Sequence, residues 1–162
     1  MDESRNEPRY KEIYGYRAQY ARMLRSLKLA KTQSDQLVEK EYQLITFFLH
    51  CWHLKDHIRN DNSLPEDVRI KIVERAHSSP ELQICRDLAN GLKHFSRKSA
   101  EIVGNVSVTV YVGRGAAYYP MVTYENGAQE RAVDVAIAAA KAWETILSDE
   151  IIDFDHSDLT DI

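Results

Sequence analysis

The feature that most constrains the fold is an apolar segment at residues 44–58, which reads LITFFLHCWHLKDHI. A helix this apolar has to be covered by neighbours on most sides. We therefore expect it to form the central helix of a bundle. Its start is predicted near Ser34, a good N-cap with the acidic Asp35 beside it, and its end near Ile58.

Four other segments have helical periodicity. They are predicted from Pro8 or Arg9 to about Ala30, over about residues 68–76, from Pro80 onward, and from about Gln129 to Leu147. Between the last two segments the period changes to two, because valines at every second position from Val106 to Val112 alternate with Ser, Thr and Tyr. This pattern predicts a β-hairpin over about residues 105–124, and Pro120 indicates that its second strand is an exposed edge.

The predicted fold class is therefore mainly α, a helical bundle of four to five helices with one β-hairpin inserted before the last helix. A chain of 162 residues, 44% of them hydrophobic, is long enough to bury the core of one domain. We place that domain at residues 1–148. Residues 149–162 hold six acids and no Lys or Arg, and we expect this tail either to be disordered or to dock on a basic surface.

Charge, cysteine content and hydropathy bear on three classes: nucleic-acid-binding, disulfide-bonded and membrane proteins. The net charge of −4 gives no general signal for nucleic-acid binding, although residues 13–34 hold five cations and no acid. Cys51 and Cys85 lie in apolar helical surroundings, which is typical of buried free thiols. No apolar run is long enough for a membrane span, so we expect a cytoplasmic protein that does not bind membranes.

The most informative polar residues lie in the segment ICRDLANGLKHF, residues 84–95. At 100° per residue, Arg86, Asn90, Lys93 and His94 share an arc of about 100°, opposite an apolar face. Such a face is commonly no more than the solvated side of an amphipathic helix. Asn90 and Gly91, however, are poor choices for a helix interior, which indicates that something other than helix stability selected them.

A second polar stripe interrupts the central helix. His50, His53 and His57 lie within an arc of about 60°. They can share a metal, with His94 or Asp56 as a further ligand, although no HExxH arrangement supports zinc. The alternatives are a polar layer that faces the fourth helix and a mostly structural stripe, and we favour these over the metal site.

The segment HCWHLKDH on one central helix and CRDLANGLKHF on another, followed by a β-hairpin and a helix that bears Trp143, resembles the bacterial HEPN-like proteins. The resemblance covers about residues 40–147. It implies a helical bundle that commonly forms a homodimer. Active members of that family are metal-independent endoribonucleases with an Arg, four to six intervening residues and a His, often with a polar residue directly after the Arg.

Transferred residue by residue, Arg86 matches the arginine of the motif, Asp87 the polar residue after it and His94 the histidine. Seven residues separate Arg86 from His94, a longer spacing that still leaves both on one helix face, about 80° apart. The resemblance implies attack of a ribose 2′-hydroxyl on the adjacent phosphodiester, with no cofactor. His94 would act as general base or acid and Arg86 would hold the phosphate.

The remaining predicted site residues have supporting roles. Asn90 would orient the phosphate or the imidazole, and Lys93 would add positive potential. Three further residues would support the site: Asp87 beside the arginine, and His53 and Asp56 on the central helix. Proteins of this kind resemble toxins of toxin–antitoxin or anti-phage systems, so the expected partners are RNA, a second copy and an antitoxin or other regulatory protein. The acidic tail could restrain activity by covering a basic groove.

Two other functions use the same residues. In a non-catalytic dimerisation or partner-binding module, Arg86 would pair with Asp56 and His53 with Asn90, fixing the register of two helices without chemistry. In a small-ligand pocket, Arg86 and Lys93 would hold a phosphate. No Gly-rich phosphate loop accompanies them, since the GRG at residues 113–115 fits the hairpin turn better.

Overall fold

The computed structural model describes residues 15–32, 37–93, 107–112 and 118–154. The helices and strands in these ranges are α1 (Tyr16–Thr32), α2 (Leu37–Arg59), α3 (Glu66–Ser78), α4 (Pro80–Lys93), β1 (Ser107–Val112), β2 (Tyr118–Thr123), β3 (Gln129–Arg131) and α5 (Ala132–Glu150). The chain is mainly helical with a β-hairpin before the last helix, which confirms the predicted fold class. The predicted helix start at Pro8 or Arg9 and the predicted cap at Ser34 lie outside the described residues.

The core is built around α2, which packs against each of the other described helices and against β2. Its large apolar side chains Phe47, Phe48, Leu54 and Ile58 are fully buried. Each such side chain contributes roughly 1.5–3 kcal/mol when it leaves water. The prediction that this segment forms the central helix is confirmed.

The first helix packs one side against α2 and α5, and a side chain distant in sequence accepts a hydrogen bond from its first backbone N–H. Tyr16, Tyr20 and Met23 are buried on that side. The carboxylate of Asp61, in the turn after α2, accepts a hydrogen bond from the backbone N–H of Tyr16 at 3.1 Å. The same carboxylate accepts from the backbone N–H and the hydroxyl of Ser63, at 3.0 and 2.6 Å. Asp61 therefore joins the start of α1 to the end of α2.

The short α3 and the helix α4 meet at a tight junction, as Pro80 predicts. The backbone N–H of Ser79 donates to the carbonyl of Arg75, and the Ser79 hydroxyl accepts from the backbone N–H of Leu82. Pro80 occupies the first helical position, where its missing N–H costs nothing. The end of α3 is thus held beside the beginning of α4.

The hairpin belongs to a three-stranded antiparallel sheet with strand order β1-β2-β3. The prediction that Pro120 marks an exposed edge strand is wrong, because β2 is the central strand and Pro120 is buried. The short β3 pairs only with Met121–Thr123. Pro120 lies past that pairing, where β2 has only β1 beside it, so its missing N–H breaks no bond to β3.

The last helix extends into the predicted tail. Asp149 and Glu150 close α5 and accept hydrogen bonds from the guanidinium of Arg75 in α3, at 2.7 and 2.9 Å. Phe154 packs edge-on against the ring of Tyr20, with centroids 5.7 Å apart. The first residues assigned to the tail therefore pack on the bundle, and residues 155–162 lie outside the described residues. A deletion that tests the tail alone has to begin after Phe154.

Two predictions about cysteines and membranes can be compared with the structure. Cys51 and Cys85 are both buried free thiols, as predicted. Burial, together with a hydrogen bond to the Cys51 thiol, raises the pKa of Cys85. Within the described ranges, no helix has both the length and the apolar composition that crossing a bilayer requires.

Candidate functional site

The fourth helix has the two faces that its sequence predicts. Leu82, Cys85 and Leu88 are buried in the core. Arg86 is partly exposed, and Asn90, one turn later on the same face, is exposed. Lys93 is the last residue of the helix, and His94 lies outside the described residues. Arg86 and Asn90 are therefore the predicted catalytic residues that the structure brings together.

The guanidinium of Arg86 is held by its own neighbour. Its Nε donates to Oδ1 of Asp87 at 2.9 Å, and the two side chains are 29% and 13% exposed. Among the described residues, Arg86 makes this ion pair and not the predicted one with Asp56, because Asp87 is the nearer carboxylate on its own helix. The bond uses Nε, so the two terminal guanidinium nitrogens, which bind phosphate as a fork, are not engaged by Asp87.

On α2, the carboxylate of Asp56 is surrounded by donors of the same helix. Lys55 Nζ lies 2.7 Å from it, His53 Nδ1 3.4 Å and Arg59 Nη1 3.7 Å. Burial pushes the pKa of Asp56 upward, but these neighbours, Lys55 foremost, outweigh it and leave the pKa below its usual value. The predicted pair of His53 with Asn90 is not the one observed, since His53 turns to Asp56 within its own helix.

His50, the first of the three histidines on α2, contacts α1. Nε2 of Gln19 donates to the carbonyl oxygen of His50 at 3.3 Å and lies 2.9 Å from Nδ1 of its ring. Burial lowers the pKa of His50, and the nearby charges of Arg22, His57 and His53 lower it further. In the part of the chain that the structure describes, no three side chains form a group that could hold a metal ion.

Sequence reasoning missed an aromatic and cationic arrangement on the other side of α2. Trp52 is buried, and the ammonium of Lys55, one turn later, lies 4.5 Å from its ring centroid. The ring of His77, near the end of α3, meets the Trp52 ring edge-on at 5.3 Å. Lys55 is only 8% exposed, so it is held in a buried position between the indole and Asp56.

Charges from two helices act on the His77 imidazole. Partial burial lowers the pKa of His77 below its usual value. Lys55 and Arg59 of α2 lower it further, and so does Arg86 of α4, whereas Asp56 acts in the opposite direction. We call Lys55, Arg59, His77 and Arg86 the three-helix basic cluster. Its imidazole stays mostly neutral near pH 7, so that it can accept a proton.

The sequence carried a partial signal for this cluster. The i, i+3 spacing of Trp52 and Lys55 places both on one side of α2, which is visible without a structure. His77 has no such signal, because nothing in the periodicity of α3 relates it to Arg86. The turn at Ser79 and Pro80 provides that relation, since it brings the end of α3 back against the helix that carries Arg86.

The arrangement can bind an anion and exchange a proton. The partly exposed guanidinium of Arg86 suits a phosphate, and a neutral imidazole suits general base chemistry. Comparison of the chain with protein-family models, with curated proteins and with solved structures finds no significant match. The resemblance to HEPN-like proteins therefore stays a prediction.

Proposed function

We propose that this protein is a metal-independent endoribonuclease of a toxin or anti-phage defence type, acting at the exposed face of α4. The observation that carries the proposal is the three-helix basic cluster. Within it, the charges of Lys55, Arg59 and the partly exposed Arg86 each lower the pKa of the His77 imidazole. A surface of this kind concentrates positive charge where a phosphodiester would bind.

The proposed reaction needs no metal and no cofactor. The ribose 2′-oxygen attacks the adjacent phosphorus, the bond from phosphorus to the 5′-oxygen breaks, and the products end in a 2′,3′-cyclic phosphate and a 5′-hydroxyl. The base takes the 2′-hydroxyl proton, and an acid returns one to the 5′-oxygen. The terminal nitrogens of Arg86 hold the phosphate and offset the charge that develops on its oxygens.

The proton-transfer role is assigned to His94 by the resemblance to the HEPN family. Asn90, on the same exposed face as Arg86, would orient the phosphate or the imidazole, and Lys93 would add positive potential. His53 and Asp56, which contact each other on α2, would have a supporting role and would not take part in the reaction. We further propose that the chain works as a homodimer and that an antitoxin or other regulatory protein restrains it.

A second candidate function is a non-catalytic dimerisation or partner-binding module. The observation in its favour is that Arg86 and Lys55 both have a carboxylate partner on their own helix, Asp87 and Asp56 respectively. Charges satisfied in this way hold side chains in place without any substrate. Stability measurements on the variants described next separate this function from catalysis.

The test is cleavage of a mixed RNA pool with EDTA present. The native chain is compared with Arg86→Ala, with His94→Ala and with Lys141→Ala, an exposed cation of α5 that serves as the matched control. Circular dichroism verifies that each variant is folded. The proposal expects cleavage by the native chain and the control, and its loss in the other two. Absence of cleavage, with large losses of stability in Arg86→Ala, would favour the binding module.

A further inference from the structure

The outward side of α1 is a stripe of cations. Five residues of α1 are exposed: four of them are basic, and the fifth is Thr32 at the end of the helix. The helix contains no Asp or Glu. We call these four the α1 basic stripe: Arg17, Arg25, Lys28 and Lys31. They fall within an arc of roughly 120° and extend over about 21 Å of the helix axis.

Within the described ranges, the charges of this stripe have no ion-pair partner, whereas several cations on other elements do. Arg75 pairs with two carboxylates of α5, Arg131 pairs with Asp134, and Lys55 pairs with its own neighbour. Across the described ranges, no member of the stripe forms an ion pair. A chain whose net charge is −4 therefore concentrates unpaired positive charge on one helix face. Such a face attracts a polyanion over distances of about a Debye length.

The composition of the stripe narrows the chemistry of its partner. The apolar side of α1 is committed to the core, since Tyr16, Tyr20 and Met23 are buried, so the helix has no face left to insert into a lipid surface. Protein interfaces are centred on aromatic or apolar side chains, whereas the exposed residues of α1 are four cations and one threonine. Contacts made only by Arg and Lys fit the phosphate backbone of a nucleic acid.

We propose that the α1 basic stripe binds the phosphate backbone of RNA. The choice of RNA as the polyanion rests on the proposed function, whereas the stripe itself does not. From Arg25 to Lys31 the cations recur at about 4.5 Å along the axis, so that several of them can contact phosphates of one strand at the same time. The stripe lies on the exposed side of α1, and the buried side of the same helix packs on α2 and α5.

The test measures binding without cleavage. The full chain is titrated, in EDTA, into a fluorescent single strand of about 16 nucleotides whose riboses are all 2′-O-methylated, so the nucleophile is absent. Arg25→Gln with Lys28→Gln is compared with Lys71→Gln and Lys141→Gln, two exposed cations on other helices that give the same change in net charge. Circular dichroism verifies that both double variants are folded.

The stripe variant is expected to bind about tenfold more weakly at about 50 mM salt, and to lower the slope of log affinity against log salt by about 1.4. The control variant is expected to match the native chain within about twofold. The proposal is overturned if the native chain does not bind, or if the stripe variant binds like the control. Stripe-dependent binding to phosphatidylserine vesicles without RNA binding would also overturn it.

The outcomes for the stripe and for the nuclease are separable. Stripe-dependent binding by a chain that cleaves no RNA would support this inference and contradict the proposed reaction. Cleavage that Arg86→Ala abolishes, combined with binding unaffected in the stripe variant, would support the reaction and overturn the stripe.

Discussion

The ring of His77 meets the ring of Trp52 edge-on, with centroids 5.3 Å apart and an interplanar angle of 89°. This contact joins the end of α3 to the middle of α2. On the other helix of the cluster, Arg86 is near enough to lower the pKa of His77. The imidazole therefore reports on the cations around it, and its titration is a direct probe of the candidate site.

Replacing Lys55 by Met should raise the pKa of His77, because Lys55 is the first of the charges that lower it. Asp56→Asn should move the same pKa downward, because the Asp56 carboxylate acts in the opposite direction. The measurement is a titration of the His77 ring followed by NMR. Lys71→Met, which removes an exposed cation from α3, is the control. Shifts of equal sign in the two variants would contradict the arrangement described for the cluster.

The His50 contact with α1 predicts destabilisation by acid. Because the folded-state pKa of His50 is lowered, the unfolded chain binds more protons as the pH falls through the ordinary histidine value near 6.5. This contribution to stability is complete above that value and declines below it. His50→Gln keeps a polar group opposite Gln19 and removes the titration.

Urea unfolding at several pH values between about 5 and 8 measures the effect. As the pH falls, the native chain should lose more unfolding free energy than His50→Gln does. A difference that stays constant across this range would show that His50 does not titrate as its surroundings require.

Asp61 should contribute more to the free energy of unfolding than an ordinary surface carboxylate does. Asp61→Ala removes the hydrogen bond to the first N–H of α1 and both bonds to Ser63, so we expect a loss of about 1–2 kcal/mol in unfolding free energy. Glu74→Ala, at an exposed position within α3, is the control and should change stability by less than about 0.5 kcal/mol. Equal effects of the two substitutions would mean that the bond across 45 residues contributes nothing.

The sequence predicts those parts of the fold that depend on local periodicity. The apolar run at 44–58 identifies the central helix, and Pro80 identifies the start of α4. Pro120 misleads because its effect on a strand depends on where β3 stops pairing, which is a non-local fact. Local pattern cannot say whether a strand is central or at an edge.

The candidate site is only half visible in the sequence. Helical spacing predicts that Arg86 and Asn90 share an exposed face, and they do. The alternative of a non-catalytic module paired Arg86 with Asp56 across two helices, whereas the structure pairs Arg86 with Asp87. Arg86 has a carboxylate beside it on its own helix, and side-chain rotamers, which no periodicity encodes, decide which partner it takes. His77 could not be found at all, because its place depends on how α3 folds back.

The most direct measurement is the chemistry of the RNA ends that the native chain produces with EDTA present, read by mass spectrometry. A metal-independent attack by the 2′-hydroxyl predicts fragments that end in 2′,3′-cyclic phosphate and begin with 5′-hydroxyl, and predicts that Arg86→Ala yields neither. Fragments with 3′-hydroxyl and 5′-phosphate ends, or intact RNA after incubation with a chain that circular dichroism shows to be folded, would contradict the account.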